Sequence, residues 1–92
     1  MQVHLNFTGD VWARMRTGHL DYTFEGHTLG ELLQALFAAH DFRDLILDAG
    51  GNVRFRSRIA VNGRFSDTLQ GMSTPVEDGD TIVLMRPGLG AN

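Results

Sequence analysis

No cysteine and no lysine occur among these 92 residues. Without cysteine there is no disulfide, no thiolate nucleophile and no thiolate metal site. Without lysine, Schiff-base chemistry is excluded, and no side-chain ammonium exists to be acylated or conjugated. All eight basic residues are arginine: Arg14, Arg16, Arg43, Arg54, Arg56, Arg58, Arg64 and Arg86. Apolar runs are only a few residues long, far short of a membrane-spanning helix. The opening Met1-Gln2-Val3-His4 lacks the basic segment and apolar stretch of a signal peptide, so a cytoplasmic location and no membrane partner are expected. Length sets a further bound: a chain this short buries roughly 60–65% of its unfolded surface. One core is therefore expected, with no room for two domains, a solenoid or a large catalytic cleft.

What is present is periodic. Residues 2–8 alternate, with Val3, Leu5 and Phe7 on one face and His4, Asn6 and Thr8 on the other, which predicts a half-buried strand ended by Gly9 and Asp10. Residues 11–18 read as a connection with a helical turn at 11–15. Residues 19–25 alternate again, Leu20, Tyr22 and Phe24 against Asp21, Thr23 and Glu25. Thr28-Leu29-Gly30-Glu31 fits a capping box. After it, Leu29, Leu32, Leu33, Leu36 and Phe37 fall at helical spacing and predict the main helix, with His40 near its end. Residues 53–61 alternate once more, Val53, Phe55, Ser57, Ile59 and Val61 against Arg54, Arg56, Arg58 and Ala60. Asn62-Gly63 signals a tight turn, residues 64–65 a short strand, Asp78-Gly79-Asp80 another turn, and residues 81–85 a last strand. Pro87 and the glycines prevent 87–92 from continuing as strand or helix. The expectation is an α+β fold: a domain over 1–86 with a mixed four- to five-stranded sheet on one main helix, then a tail over 87–92. A hairpin, a helix and further strands in that order fit the β-grasp arrangement best. The expected core is Val3, Leu5, Phe7, Leu20, Tyr22, Phe24, Leu32, Leu33, Leu36, Phe37, Phe55, Ile59, Val61, Ile82 and Leu84.

No catalytic set emerges. His4, His19, His27 and His40 include no pair at zinc-like spacing, so no metal site is expected. Asp78-Gly79-Asp80 lacks the remaining ligands of a calcium loop, and Ser57, Ser66 and Ser73 lack a nucleophile-elbow context. Asp41, Asp44 and Asp48 fit one face of a helix, most simply as a solvated surface. Gly88-Leu89-Gly90 is no phosphate loop, since no helix follows it. Arg54, Arg56 and Arg58, two apart, project from one face of a predicted strand. Three readings stay open for them: a face cross-paired with Asp21 and Glu25, a docking surface, or a nucleic-acid contact. The last is disfavoured by the net charge of −3 and by Phe55 facing the other way.

Ile59-Ala60-Val61-Asn62-Gly63, then Thr74-Pro75-Val76-Glu77-Asp78-Gly79-Asp80-Thr81-Ile82, then a short glycine-bearing tail resembles the MoaD/ThiS ubiquitin-like sulfur carriers. In that family a strand end of the form VN(G) is followed by a GD turn and a strand, and the chain stops at Gly-Gly. The resemblance implies a β-grasp carrier, not an enzyme. An activating enzyme uses ATP and magnesium to adenylate the terminal glycine carboxylate, and a sulfur donor protein converts it to a thiocarboxylate. The sulfur then passes to an acceptor enzyme in molybdopterin, thiamine, cysteine or tRNA chemistry, and some relatives are instead conjugated to protein lysines. The carrier itself binds no cofactor. Glycines let an extended tail thread a narrow channel, a role that needs no catalytic set on the carrier.

The chain departs from the pattern at its end. Aligning the last strand puts Gly90 at the family's terminal glycine and Leu89 at its penultimate one, with Gly88 before them. Ala91 and Asn92 are extra. Either a processing peptidase removes Ala91-Asn92 to expose Gly90, which is the expectation, or the carrier chemistry is lost and the chain is an interaction module or small subunit. Lacking lysine, it cannot build side-chain-linked chains on itself. The resemblance places partner docking on the sheet face opposite the helix, where strand alternation offers Arg54, Arg56, Arg58 and Ala60 with Val83 and Met85.

Overall fold

The computed structural model describes residues 1–88. Strand β1 (Gln2–Gly9) is followed by the short helix α1 (Asp10–Met15), strand β2 (His19–Thr23) and the main helix α2 (Leu29–Ala39). A single-turn helix α3 (Arg43–Ile46) precedes β3 (Arg58–Val61), β4 (Arg64–Phe65), two 3-10 turns (Ser66–Thr68, Gly71–Ser73) and β5 (Thr81–Arg86). The strands form one mixed sheet in the order β2-β1-β5-β3-β4. β1 runs antiparallel to β2 and parallel to β5, and β5 runs antiparallel to β3. That is the β-grasp frame the element order predicts.

Local chemistry explains most of these elements. Alternation in β1 buries Val3, Leu5 and Phe7 against Ile82 and Leu84 of β5 and Ile59 and Val61 of β3. The capping box of α2 is complete: Thr28 Oγ1 accepts from the Glu31 amide at 3.2 Å, and Glu31 Oε1 accepts from the Thr28 and His27 amides at 3.1 and 3.0 Å. Those amide bonds, that of His27 foremost, hold the Glu31 carboxyl below the usual range. Leu29, Leu32, Leu33 and Leu36 seal the helix onto the sheet. Asn62 and Gly63 both take positive φ, 51° and 83°, as a tight primed turn between paired strands requires.

Four expectations are corrected. The strand predicted over 53–61 exists only at Arg58–Val61. Arg56 takes φ +82° and the Ser57 amide donates to the Arg54 carbonyl, so the chain turns where alternation calls for extension. Val53 instead bridges Leu47, and Phe55, placed in the core by its alternation, is 92% exposed. Leu20 and Tyr22 are only partly buried, because β2 is an edge strand, and Phe37 is likewise half-covered at an edge-on contact with Phe42. Conversely Val11, Phe42, Ile46 and Val76 are core residues from segments too short or irregular to show a period. Asp41, Asp44 and Asp48 share no helical face: α3 holds only Asp44, which binds Arg14 at 2.8 and 3.2 Å, while Asp48 Oδ1 accepts the Gly50 and Asn52 amides. The proposed pairing of arginines with Asp21 and Glu25 fails as well, since β1 and β5 lie between β2 and β3.

Candidate functional site

The candidate site is the place where the chain leaves the sheet. β5 ends at Arg86, which is in register with Gly9, the last residue of β1. Gly9 adopts φ +61°, and a Cβ built there would lie 2.0 Å from the Arg86 carbonyl oxygen and 3.2 Å from Pro87 Cα. Only glycine lets β1 end this close to the departing strand. The sequence offers one weak signal for Gly9, a glycine closing an alternating run, and none for its partner.

A loop from the 53–57 segment braces the other side of this exit. Arg86 Nη1 donates to the Phe55 carbonyl at 3.2 Å and to Ser57 Oγ at 3.0 Å, and Ser57 Oγ donates in turn to the Leu45 carbonyl. Arg56 Nη2 donates to the Pro87 carbonyl at 3.3 Å. The backbone that turns at Arg56 thus presents two carbonyl and hydroxyl acceptors to Arg86 and one guanidinium to the tail. It also leaves the Phe55 ring 92% exposed, on the residue whose carbonyl receives Arg86. Phe55, Arg56 and Ser57 line the same shallow concavity as Arg58 and Asp67.

The docking residues expected from the sequence divide between two places. Arg58, Ala60, Val83 and Met85 do share the outer sheet face, with Ala60 opposite Val83 and Arg58 opposite Met85. Ala60, however, is only 4% exposed, flanked in register by Val83 and Phe65, and offers almost no surface. Arg58 is occupied within the fold: its guanidinium stacks 3.8 Å above the Phe65 ring and lies 3.7 Å from Asp67. Arg54 and Arg56 are not on this face. Arg54 Nε donates to the Asp44 carbonyl at 2.6 Å, and Arg56 serves the tail. The three-arginine stripe does not exist, because the strand on which it depended is a turn. Of the tail residues singled out, Gly88 is described and half-buried; Leu89 and Gly90 lie outside the described residues.

A second cluster was invisible to spacing in sequence. His4 Nδ1 and His19 Nε2 lie 2.7 and 2.8 Å from the same oxygen, Asp21 Oδ1, which holds that carboxyl below its usual range, the His4 bond being the main cause. The β1–β2 register assembles it, since His4 faces Asp21 across the ladder. The sequence, in which no two histidines stand at zinc-like spacing, carries no sign of this grouping. No helix among the described residues is long and apolar enough to cross a membrane.

Comparison with known proteins agrees with this geometry. SAMP1 from Haloferax volcanii superposes with a TM-score of 0.82 at 17% identity, each chain covered in full. Urm1 from Trypanosoma brucei gives a TM-score of 0.78 at 22% identity, over 99% of this chain and 95% of that one. A chain of the Amycolatopsis orientalis BexX/CysO complex gives 0.75 at 18% identity, over 97% and 99%. At these identities the likeness establishes the ubiquitin-like β-grasp fold. No curated protein sequence matches the chain. A sequence model of the ThiS family matches residues 14–90, from α1 through the tail to Gly90. With that match over most of its length, the chain belongs to the ThiS family.

Proposed function

We propose that this protein is a sulfur carrier whose reactive group is the carboxylate of Gly90, exposed once a peptidase has removed Ala91-Asn92. Membership of the ThiS family supports a carrier role, in which the protein is the substrate of an activating enzyme. The observation that carries the finer reading is the built exit of the tail: Gly9 gives way to Arg86, and Arg86 and Arg56 clamp the strand end and Pro87 onto the 53–57 loop. A root held this firmly at Arg86 and Pro87 suits delivery of residues 88–90 to an activating site. Gly88 and Gly90 keep that segment thin.

Within a partner complex, adenylation joins the Gly90 carboxylate to the α-phosphate of ATP and releases pyrophosphate. Sulfide-level sulfur delivered by a donor protein then displaces AMP to leave a thiocarboxylate, which an acceptor enzyme consumes. ATP and magnesium belong to the activating partner, and the carrier holds no cofactor of its own. Among its own groups, the exposed Phe55 ring, on the loop that braces the tail root, is the apolar anchor for the activating enzyme. Val83 and Met85 on the outer face, with Arg58 at their margin, are the second docking element. Absence of lysine leaves single transfer as the mode, and the cytoplasm, without nucleic acid or membrane, as its setting.

Leu89 in the penultimate position favours one alternative, an interaction module that has left carrier chemistry behind. Intact mass of the protein isolated from its host separates the two. Loss of Ala91-Asn92, with exchange of one carboxylate oxygen for sulfur in part of the population, is the expected result. A full-length, unmodified mass while sulfur transfer is active supports the module instead. In reconstitution, protein ending at Gly90 supports ATP–pyrophosphate exchange by the host's activating enzyme, and Gly90→Phe abolishes exchange without moving the melting temperature.

A further inference from the structure

The outer face of the β1–β2 hairpin carries two directly opposed polar pairs, His4 with Asp21 and Asn6 with His19. His4 Nδ1 and His19 Nε2 converge on Asp21 Oδ1, and the three ligand-type atoms all lie within 4.8 Å of one another. His19 Nδ1, meanwhile, lies 3.0 Å from Asn6 Oδ1. Both ring nitrogens of His19 therefore face oxygen acceptors. A neutral imidazole has one N–H to give. With that hydrogen directed at Asn6, Nε2 points a lone pair at a carboxylate oxygen 2.8 Å away. In that tautomer Nε2 and Asp21 Oδ1 can both bind one cation placed between them.

We propose that His4 Nδ1, His19 Nε2 and the Asp21 carboxylate form a binding site for a divalent transition-metal ion of the zinc class, with a fourth coordination position open. Two imidazoles and a carboxylate are a donor set that zinc takes with water or another ligand completing a tetrahedron. Magnesium and calcium, which want oxygen ligands, do not fit it. In a tetrahedral site with bonds of about 2.0–2.1 Å, neighbouring ligand atoms stand about 3.3 Å apart. The two nitrogens thus open from Asp21 Oδ1 by about half an ångström, and their own separation, within 4.8 Å, settles to the same spacing. Side chains that are 43%, 55% and 47% exposed make that adjustment by small rotations, while the paired strands hold their Cα positions. The Asn6 contact supplies what ligating histidines usually have, an acceptor on the other ring nitrogen that fixes tautomer and ring plane.

The site stands apart from the tail. His4 is in register with Thr81 and Gly9 with Arg86, five positions further along the same two strands, about 16 Å at the usual strand rise. A metal here is thus remote from the root of the tail at Arg86. It sits on the edge strand β2, where its open position faces solvent and any donor a partner presents.

The test is calorimetric titration of tag-free, chelator-stripped protein with zinc sulfate at pH 7.5, paired with thermal melts. One zinc ion per chain, an increase in melting temperature and no response to magnesium are expected. His4→Ala, His19→Ala and Asp21→Asn each weaken binding at least tenfold, Asn6→Ala weakens it about tenfold, and His27→Ala and His40→Ala leave it unchanged. Circular dichroism of each variant checks that the exposed substitutions leave the fold intact. Absence of zinc binding at pH 7.5, or binding that survives His19→Ala or is lost in His27→Ala, overturns the proposal. The cluster is then a hydrogen-bonded group held by protons alone.

Discussion

Gly9 and Arg86 meet so closely that a single methyl group on the first would lie 2.0 Å from the carbonyl oxygen of the second. The contact joins the end of β1 to the end of β5, and it fixes where the tail begins. Gly9→Ala is expected to destabilise the domain through two effects. Backbone at φ 61° and ψ −132° alone costs about 1–3 kcal/mol for a residue with a Cβ, and the collision forces β5 or the tail to shift. A denaturant titration checks the first effect, and ATP–pyrophosphate exchange on protein ending at Gly90 checks the second. A variant with an unchanged midpoint and full exchange would show that the close approach is dispensable.

Phe55 and Phe42 make opposite predictions from the same side chain. Phe42→Ala removes a fully buried ring in edge contact with Phe7 and Phe37, and a loss of about 3–5 kcal/mol is expected. Phe55→Ala removes a ring that is 92% exposed, so stability stays within about 0.5 kcal/mol while activation by the partner enzyme falls. Equal destabilisation by the two substitutions would place Phe55 back in the core.

Arg86 ties β5 to the 53–57 loop by two hydrogen bonds from one guanidinium nitrogen. Arg86→Met keeps much of the aliphatic stem and removes both donors. A stability loss of about 1–2 kcal/mol is expected, together with faster hydrogen exchange of the Ser57 amide, which closes the turn onto the Arg54 carbonyl. Unchanged exchange there would mean that the loop holds its turn without the clamp.

Acid sensitivity follows from three depressed carboxyls. Asp21 is lowered chiefly by its bond with His4, Glu31 chiefly by the His27 amide, and Asp44 chiefly by Arg14. Each is more acidic folded than unfolded. The stability each contributes is thus complete above the unfolded value, about 3.9 for Asp and 4.3 for Glu, and is lost as pH falls through the folded one. Stability should hold from neutrality to about pH 5 and decline progressively below it. Glu31→Gln keeps an acceptor for the Thr28 and His27 amides yet cannot titrate there, so its decline should be shallower than that of the natural protein. Identical acid limbs in urea titrations at pH 3–5 would remove Glu31 from this account.

The other half of the capping box is tested at neutral pH. Thr28→Ala loses the acceptor for the Glu31 amide, and about 1 kcal/mol of stability should go with it. Thr28→Ser retains the hydroxyl and should recover most of that loss. If serine does no better than alanine, the cap contributes through something other than its oxygen.

Much of the frame was legible in local pattern. Val3, Leu5 and Phe7 alternate because β1 has one buried face, and Leu29, Leu32, Leu33 and Leu36 repeat because α2 has one. Asn62-Gly63 is a turn by its own conformational preference. The same rule misread residues 53–57, where an alternating run of arginines and apolar residues is a turn with Arg56 in the left-handed region. Alternation states which residues share a side of an extended chain; it does not require the chain to be extended. Phe42 and Ile46 escaped notice for the converse reason, since a four-residue helix is too short to show a period.

The sequence by itself therefore determined the elements that carry their own periodicity or capping chemistry, the absence of thiol and lysine side-chain chemistry, and the glycine-bearing tail. Only tertiary structure decided which elements touch. His4 beside Asp21 and His19, Gly9 against Arg86, and Arg86 beneath Phe55 each join residues from separate elements or opposite ends of the chain. Local patterns report a residue's orientation about its own strand or helix axis. Its neighbours across that axis are set by strand order and register, which the whole buried core selects at once.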